Sequence, residues 1–573
     1  MNVVNFLQNS LPIEDIVDKG IDWITKNLAE LFRFTQLVGN SVMDFISDTL
    51  SFIPPLLLLI IISLLAYIIS NKKKNFALLV ALGLLFIYNQ GLWDGMINTF
   101  TLVLIASLKS IVIGIPLGIW MAKSDRVRSI VNPILDFMQT MPAFVYLIPA
   151  VAFFGIGMVP GVFASVIFAL PPTVRFTNLG IREIPEELIE AAESFGSTEG
   201  QRLFKVELPL AKNTILAGVN QTIMLALSMV VTASMIGAPG LGNGVLSALQ
   251  HAEIGAGFVS GLALVILAII IDRFTQYMNQ SQRDNVKKST FSKLLAPILV
   301  ILFFVTGITQ AVLQTQVTSK QEITLAYVEW DSEVASTNVL AEVLKTEGYK
   351  VNLIPLDNAV TWKAIADGNA DASVSAWLPT THQAQYEQYK NQIEDLGANL
   401  VGTSLGFAVP SYMNISSIDE LTSQANQTII GIEPGAGIMS SSENALNSYS
   451  NLNDWSLTSS STGAMVTSLE QALKNKEDIV VTAWKPHWMF AKYDLVLLED
   501  SQGIFGKSEE IHTIVRQGLK EDQAEAFNII DKFSWEPEDM QSVMLAIAEG
   551  QSPSQAAKDW IELNPDKVEG WLE

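Results

Sequence analysis

The chain has 573 residues, is 49% apolar and 16% charged, contains no cysteine and carries a formal net charge of −23. It is too long and too apolar for one soluble domain. The missing cysteine excludes disulfides, thiolate metal sites, cysteine nucleophiles and a lipid-modified Cys anchor, and the acidic balance argues against binding nucleic acid. The charge is also unevenly placed. Up to residue 319 there are 20 Lys and Arg against 20 Asp and Glu, and beyond it 15 against 38.

In chain order, residues 12–34 read as an amphipathic helix, with Ile13, Ile16, Val17, Ile21, Ile24, Leu28 and Leu31 set against Asp15, Asp18, Lys19, Asp22, Lys26, Glu30 and Arg33. Within an N-terminal segment 1–50, such a helix either lies on the outer membrane face or packs against a bundle. From 51 to 316 the apolar runs 52–70, 76–93, 97–122, 138–158, 160–179, 213–237, 256–272 and 294–316 are each about long enough to cross a bilayer as a helix, giving about eight spans.

Basic residues gather in every second connection: Lys72, Lys73 and Lys74; Lys123, Arg126 and Arg128; Arg182, Arg202, Lys205 and Lys212; and the segment 273–293. The connections 93–98, 158–161 and 238–255 hold no Lys or Arg. The positive-inside rule then makes the basic loops cytoplasmic and puts the N-terminus and everything after 316 outside. Lys109 and Asp136, costly in lipid, are expected to face protein or water, and Arg175 to snorkel.

The connection 180–212 contains Glu190-Ala191-Ala192, then Gly196, Val206 and Leu208-Pro209. Ile189, Ala191, Ala192 and Phe195 make an apolar patch on a short helix, Gly196 breaks it, and Pro209 is expected to stop the next segment before the following span. A patch of this kind, with nothing in the chain to cover it, implies a partner. The pattern resembles the EAA loop of binding-protein-dependent ABC importer permeases, where it forms the coupling helix that docks into the ATP-hydrolysing subunit. Glu190, Ala191, Ala192, Gly196 and Pro209 carry that likeness. It implies an all-α polytopic bundle of the type I importer kind, two copies of this chain with two ATPases, and ATP and Mg on those partners rather than on this chain. Residues 237–244, Gly-Ala-Pro-Gly-Leu-Gly-Asn-Gly, are similar to a glycine pattern of betaine-type and methionine-type permeases. The string Gly506-Lys507-Ser508 lacks the Gly five positions upstream that a phosphate-cradling loop needs, since Ser501 stands there.

Residues 317–573 read as a soluble α/β domain, with strands at 323–329, 350–354, 373–376, 428–432 and 479–482 alternating with helices, which points to parallel sheets. Asp371-Ala-Ser-Val-Ser-Ala-Trp377-Leu-Pro379 is echoed by Asp478-Ile-Val-Val-Thr-Ala-Trp484-Lys-Pro486, so two half-domains are expected, one from 320–408 with 502–573 and the other from 409–501. Ligands of open α/β sheets lie at the carboxyl ends of the strands, so Trp377, Trp484 and Trp330, which follows a third strand, should converge in the cleft. An all-indole box favours a cation with no N–H to donate, a methylated nitrogen. Pro434-Gly435-Ala436-Gly437-Ile438 opens a helix whose first amides suit a carboxylate.

This half resembles the glycine betaine binding proteins of osmoprotectant importers, a two-lobed fold of the periplasmic-binding-protein type II kind. The likeness implies a cage of Trp330, Trp377 and Trp484 for the trimethylammonium group, with the Gly437 and Ile438 amides and one His for the carboxylate. His382 is that His by its place after Trp377, with His487 as rival. Choline, carnitine and proline betaine are alternative ligands, and a ligand-sensing receptor is a further alternative. Trp362, Trp455, Trp488, Trp535, Trp560 and Trp571 read as core, and His251 and His512 as structural. No catalytic or metal site is expected, and the whole chain reads as a permease fused to its own substrate-binding domain in the cell membrane.

Overall fold

The computed structural model describes residues 13–250, 253–283, 305–307, 309–310, 322–506 and 509–573. The chain divides into two compact units. The first holds the helical half up to Gly242 and from Val259 onward, and the second holds the α/β half together with Asn243–Phe258.

Among the described residues of the helical unit, four helices are long and apolar enough to cross a membrane: Trp93–Lys123, Met158–Arg182, Glu199–Ser234 and Ile254–Tyr277. Two bent pairs pass the same test together, Ala29–Phe52 with Pro55–Ile69 at 99° and Asp125–Thr140 with Ala143–Phe154 at 109°. Of the eight expected runs, seven fall on helices among the described residues, though not all of them are single straight spans. The run 138–158 is the second bent pair, broken where Met141-Pro142 takes extended backbone, which a proline imposes on the residue before it. The run 76–93 is a shorter apolar helix, Lys74–Asn89. Most of 294–316, part of 273–293, His251, and Lys507 and Ser508 lie outside the described residues. The amphipathic stretch 12–34 is two helices, Ile13–Asn27 and Ala29–Phe52, interrupted at Leu28. Phe32 packs on Phe153 and Phe154 at ring distances of 4.8 and 5.3 Å, so this part of the stretch packs against the bundle.

The core of the unit is the packing of Trp93–Lys123, Met158–Arg182 and Leu208–Ser234. Small residues let these helices approach closely: a Cβ at Gly118 would meet the Val174 carbonyl and Thr177 Cβ at 2.6 Å. Asp136 is ion-paired with Arg175, so that arginine has a carboxylate partner within the protein, while Lys109 is exposed on its helix.

Among its described residues the α/β unit has nine strands: β1 Glu322–Tyr327, β2 Lys350–Pro355, β3 Ala372–Leu378, β4 Ile393–Pro410, β5 Thr428–Ile430, β6 Ser456–Thr458, β7 Val480–Lys485, β8 Leu495–Leu497 and β9 Glu509–Arg516. Their order is β2-β1-β3-β9-β4-β7-β5-β6, with β8 also on β4. Pairs β1/β2, β1/β3, β5/β6 and β5/β7 are parallel, as the alternation of strand and helix requires. The sheets are nevertheless mixed, because β9 is antiparallel to β3 and β4, and β4 is antiparallel to β7 and β8.

Strand β4 serves both sheets. Through Thr403 it pairs with β9, and from Ser404 it pairs with β7. The first lobe therefore holds β1, β2, β3, β9 and the start of β4, and the second holds the rest of β4 with β5 to β8. The crossover falls at 403/404, five residues before the expected boundary. Gly397 and Gly402, at φ +96° and +84°, mark register shifts along β4. Such bulges break the alternation that makes a strand legible in sequence.

Candidate functional site

Two of the three candidate tryptophans are placed by strand ends. Trp377 and Trp484 lie in the last residues of β3 and β7, and in each case the following Xaa–Pro bond is cis, at Leu378–Pro379 and Lys485–Pro486. Trp330 departs from the expected pattern. Strand β1 stops at Tyr327, and Trp330 occupies the N-cap of the helix Asp331–Thr346. All three, with His382, Gly437 and Ile438, line one cavity of about 340 Å³ in the cleft between the two lobes. Among the described residues, no Asp, Glu, Lys or Arg lines it. Trp377 and Trp484 are only 4% and 5% exposed, so their rings are already out of bulk water. That strengthens any interaction of their faces with a cation.

His382 is buried and its ring stacks near Trp330, centroids 6.2 Å apart. Its Nδ1 accepts the Trp377 N–H at 3.1 Å, which leaves the proton on Nε2, an atom with no partner among the described residues. Burial pushes its pKa down to about 4, so the ring is a neutral donor near pH 7. His487 does not line the cavity; it is wholly buried against Trp484, rings 4.6 Å apart. The helix Gly437–Ser448 begins at the cavity, and its N-cap, Ala436, has no side-chain acceptor for the first-turn amides.

Several residues of this region carried no signal in the sequence. Glu509, 2% exposed on β9, accepts the Thr380 N–H at 2.7 Å and the Thr381 N–H at 3.3 Å, and so pins the turn between Trp377 and His382. Glu333 is wholly buried, with a carboxyl pushed up to about 8 by that burial against one stabilising bond from the Val328 N–H. It lines a smaller cavity that also touches His382. Glu433 accepts from Trp330 Nε1 at 3.3 Å and from the Thr462 amide at 2.8 Å. The six remaining Trp expected as core are all buried, and His512 pairs with Asp395 at 2.8 Å.

In the helical unit, Glu190, Ala191 and Ala192 lie on the helix Glu186–Ser194, none of whose residues is buried, and Phe195 at its end is 92% exposed. Gly196 ends it at φ +77°. Pro209 does not stop the chain as expected. A π-helical turn, Leu203–Glu207, runs into the helix Leu208–Ser234 without a break, and Pro209, which has no N–H for the helical ladder, follows directly on that irregular turn. Glu207, 1% exposed, is held by Lys123 at 2.6 Å and by Arg202 at 3.0 Å; Arg202 also pairs with Glu193.

An exposed helix on a polytopic bundle, joined in one chain to a two-lobed α/β domain with an aromatic cleft, defines a binding-protein-dependent importer subunit. Residues 114–284 match the family described as binding-protein-dependent transport system inner membrane component, and residues 321–563 match the substrate binding domain of ABC-type glycine betaine transport systems. The glycine betaine/carnitine transport permease GbuB of Listeria monocytogenes is 54% identical over 277 residues, 48% of this chain and 98% of its own length. The glycine betaine transport system permease OpuAB of Bacillus subtilis is likewise 54% identical over 277 residues, 48% of this chain and 96% of its own length. The crystal structure of lactococcal OpuAC, closed and complexed with glycine betaine, matches 44% of this chain and all of its own at 52% identity, with a TM-score of 0.44. The chain belongs to the ABC-type glycine betaine transport family, with permease and substrate-binding domain fused.

Proposed function

We propose that this chain captures glycine betaine outside the cell in the cavity formed by Trp330, Trp377 and Trp484 and passes it to its own membrane-spanning half, as one subunit of an osmoprotective importer. The observation that carries this reading is a cavity with three indoles and no carboxylate in its lining. A trimethylammonium group has no N–H to donate, so faces of aromatic rings are its best partners, each contributing roughly 0.5–2 kcal/mol. An unmethylated ammonium would leave its hydrogen bonds unmade there, which costs about 1–3 kcal/mol for each buried group. At the other end of the ligand, the uncapped amides of Gly437 and Ile438 and the Nε2–H of His382 supply three donors for a carboxylate.

On this reading the exposed helix with Glu190, Ala191 and Ala192 docks into a separate cytoplasmic ATPase, which holds ATP and Mg, and the working complex contains two copies of this chain and two ATPases. Gly196 and Pro209 set the geometry of the turn that follows. The binding domain and the N-terminus face the outside, which agrees with the sorting of basic residues. Having the receptor on the same chain holds it at high local concentration above its pathway.

The test is a ligand panel on the purified full chain. Calorimetry should find binding of glycine betaine, weaker binding of choline, which lacks the carboxylate, and none of glycine, which lacks the methyl groups. Binding of glycine as tight as glycine betaine would refute the cage.

A further inference from the structure

The two lobes are joined across the cleft by carboxylate contacts outside the ligand cavity. Asp331, the first residue of the helix Asp331–Thr346 in the first lobe, accepts from Trp488 Nε1 at 3.1 Å through one oxygen and lies 3.3 Å from His487 Nε2 through the other. Both partners stand in the second lobe, in the turn after β7 and Trp484. The tautomer of His487 follows from its other nitrogen. Nδ1 accepts the Met489 N–H at 3.2 Å, so the proton is on Nε2 and is donated to Asp331. The contact is nearly dry, since His487 is fully buried and the Asp331 side chain is 14% exposed. A reciprocal contact runs the other way, from Trp330 of the first lobe to Glu433 of the second. Trp330 and Asp331 are consecutive, so one cage indole and the neighbouring carboxylate are held by the opposite lobe at the same point of the chain.

We infer that Asp331 is a positioning residue for ligand retention: by accepting from His487 and Trp488 it latches the closed cleft and sets how long the ligand stays. The inference rests on the reading of the cavity as the ligand site. These bonds cross from lobe to lobe and are broken when the lobes part, so they weigh on the closed state. A ligand enters an open cleft, which has no latch to make, and leaves only after the latch opens. The effect therefore falls on release. Hydrogen bonds to a charged, desolvated acceptor are strong enough for their loss to matter tenfold or more.

The experiment follows dissociation of radiolabelled glycine betaine from the full chain in lipid nanodiscs, by dilution and filtration, for wild type, Asp331→Ala, Asp331→Asn, Trp488→Phe and the double variant Asp331→Ala/Trp488→Phe. Asp331→Ala should release ligand about tenfold faster with an association rate within about threefold of wild type. Asp331→Asn, which keeps the shape and loses the charge, should fall between. Trp488→Phe, which keeps most of the ring and loses the N–H, should release several-fold faster but add nothing on top of Asp331→Ala, because both remove the same bond. Release within twofold of wild type in both Asp331 variants, or full additivity of Asp331→Ala with Trp488→Phe, overturns the latch while the cage stands. A wild-type chain that retains no glycine betaine overturns the ligand reading and the latch with it.

Discussion

Replacing Gly437 by alanine tests the closed site through a single methyl group. A Cβ built there would stand 2.3 Å from the Thr381 carbonyl oxygen and 2.5 Å from Thr381 Cγ2, whereas ordinary contact begins at about 3.4 Å. The gap must open by about 1 Å. The turn bearing Thr381 cannot yield easily, because Glu509 holds the amides of both Thr380 and Thr381. Thr381 belongs to the first lobe and Gly437 to the second, so the clash is relieved by parting the lobes. Overpacking of this size costs about 1–3 kcal/mol. An opening of 1 Å also takes the Gly437 N–H out of hydrogen-bonding range of a bound carboxylate, a further loss of about 1.5–3 kcal/mol. Together these amount to roughly 2.5–6 kcal/mol, or binding weaker by about 10²- to 10⁴-fold. Calorimetry of Gly437→Ala with glycine betaine measures the loss, and a thermal melt without ligand should match wild type, since the open cleft carries no clash. Affinity within tenfold of wild type, or a ligand-free melting temperature lowered by many degrees, would refute the reasoning.

Three further outcomes are expected. Trp330→Ala, Trp377→Ala and Trp484→Ala should each weaken binding of glycine betaine by roughly tenfold or more, the loss of one ring from the cage; calorimetry giving unchanged affinity for all three would remove it. Ala192→Glu on the helix Glu186–Ser194 should abolish ligand-stimulated ATP hydrolysis in the complex with its ATPase while binding stays intact, and normal transport by that variant in proteoliposomes would exclude a docking role. The Asp395 hydrogen bond raises the pKa of His512, so the folded chain holds that proton more tightly than the unfolded one. The stabilisation is complete below the unfolded value near 6.5 and is lost as pH rises through the raised folded value. The gap in melting temperature between wild type and His512→Gln should therefore shrink from pH 6 to pH 8, and a constant gap would contradict it.

The sequence disclosed the residues that repeat a local pattern and concealed those whose meaning depends on distant partners. Trp377 and Trp484 were legible because each ends a β-branched run followed by Leu-Pro or Lys-Pro, and the echo marked them as a pair. Glycines at positive φ interrupt the alternation in β4, which hides that strand, and with it the crossover at 403/404, from a reading of the sequence. Glu509, Asp331 and Glu433 act on groups that are remote in the chain, as Asp331 does on His487 156 residues away, and nothing local distinguishes them from solvated carboxylates. In the helical half, composition fixed which stretches are apolar, and the prolines at the breaks, Pro54 and Pro142, mark where they bend but not the angles of 99° and 109°.

Strand β9 is the last of the nine to be synthesised, yet it lies in the interior of its sheet, between β3 and β4. A nascent chain that has just passed β8 thus contains every strand of the second lobe, while the sheet of the first lobe is still split in two along its middle. No short-range pairing can close that gap, because β4 must wait for a partner more than a hundred residues further on. Completion of the first lobe accordingly waits for β9, and a ribosome that stalled between β8 and Glu509 would release a membrane-spanning half carrying a receptor with an open seam.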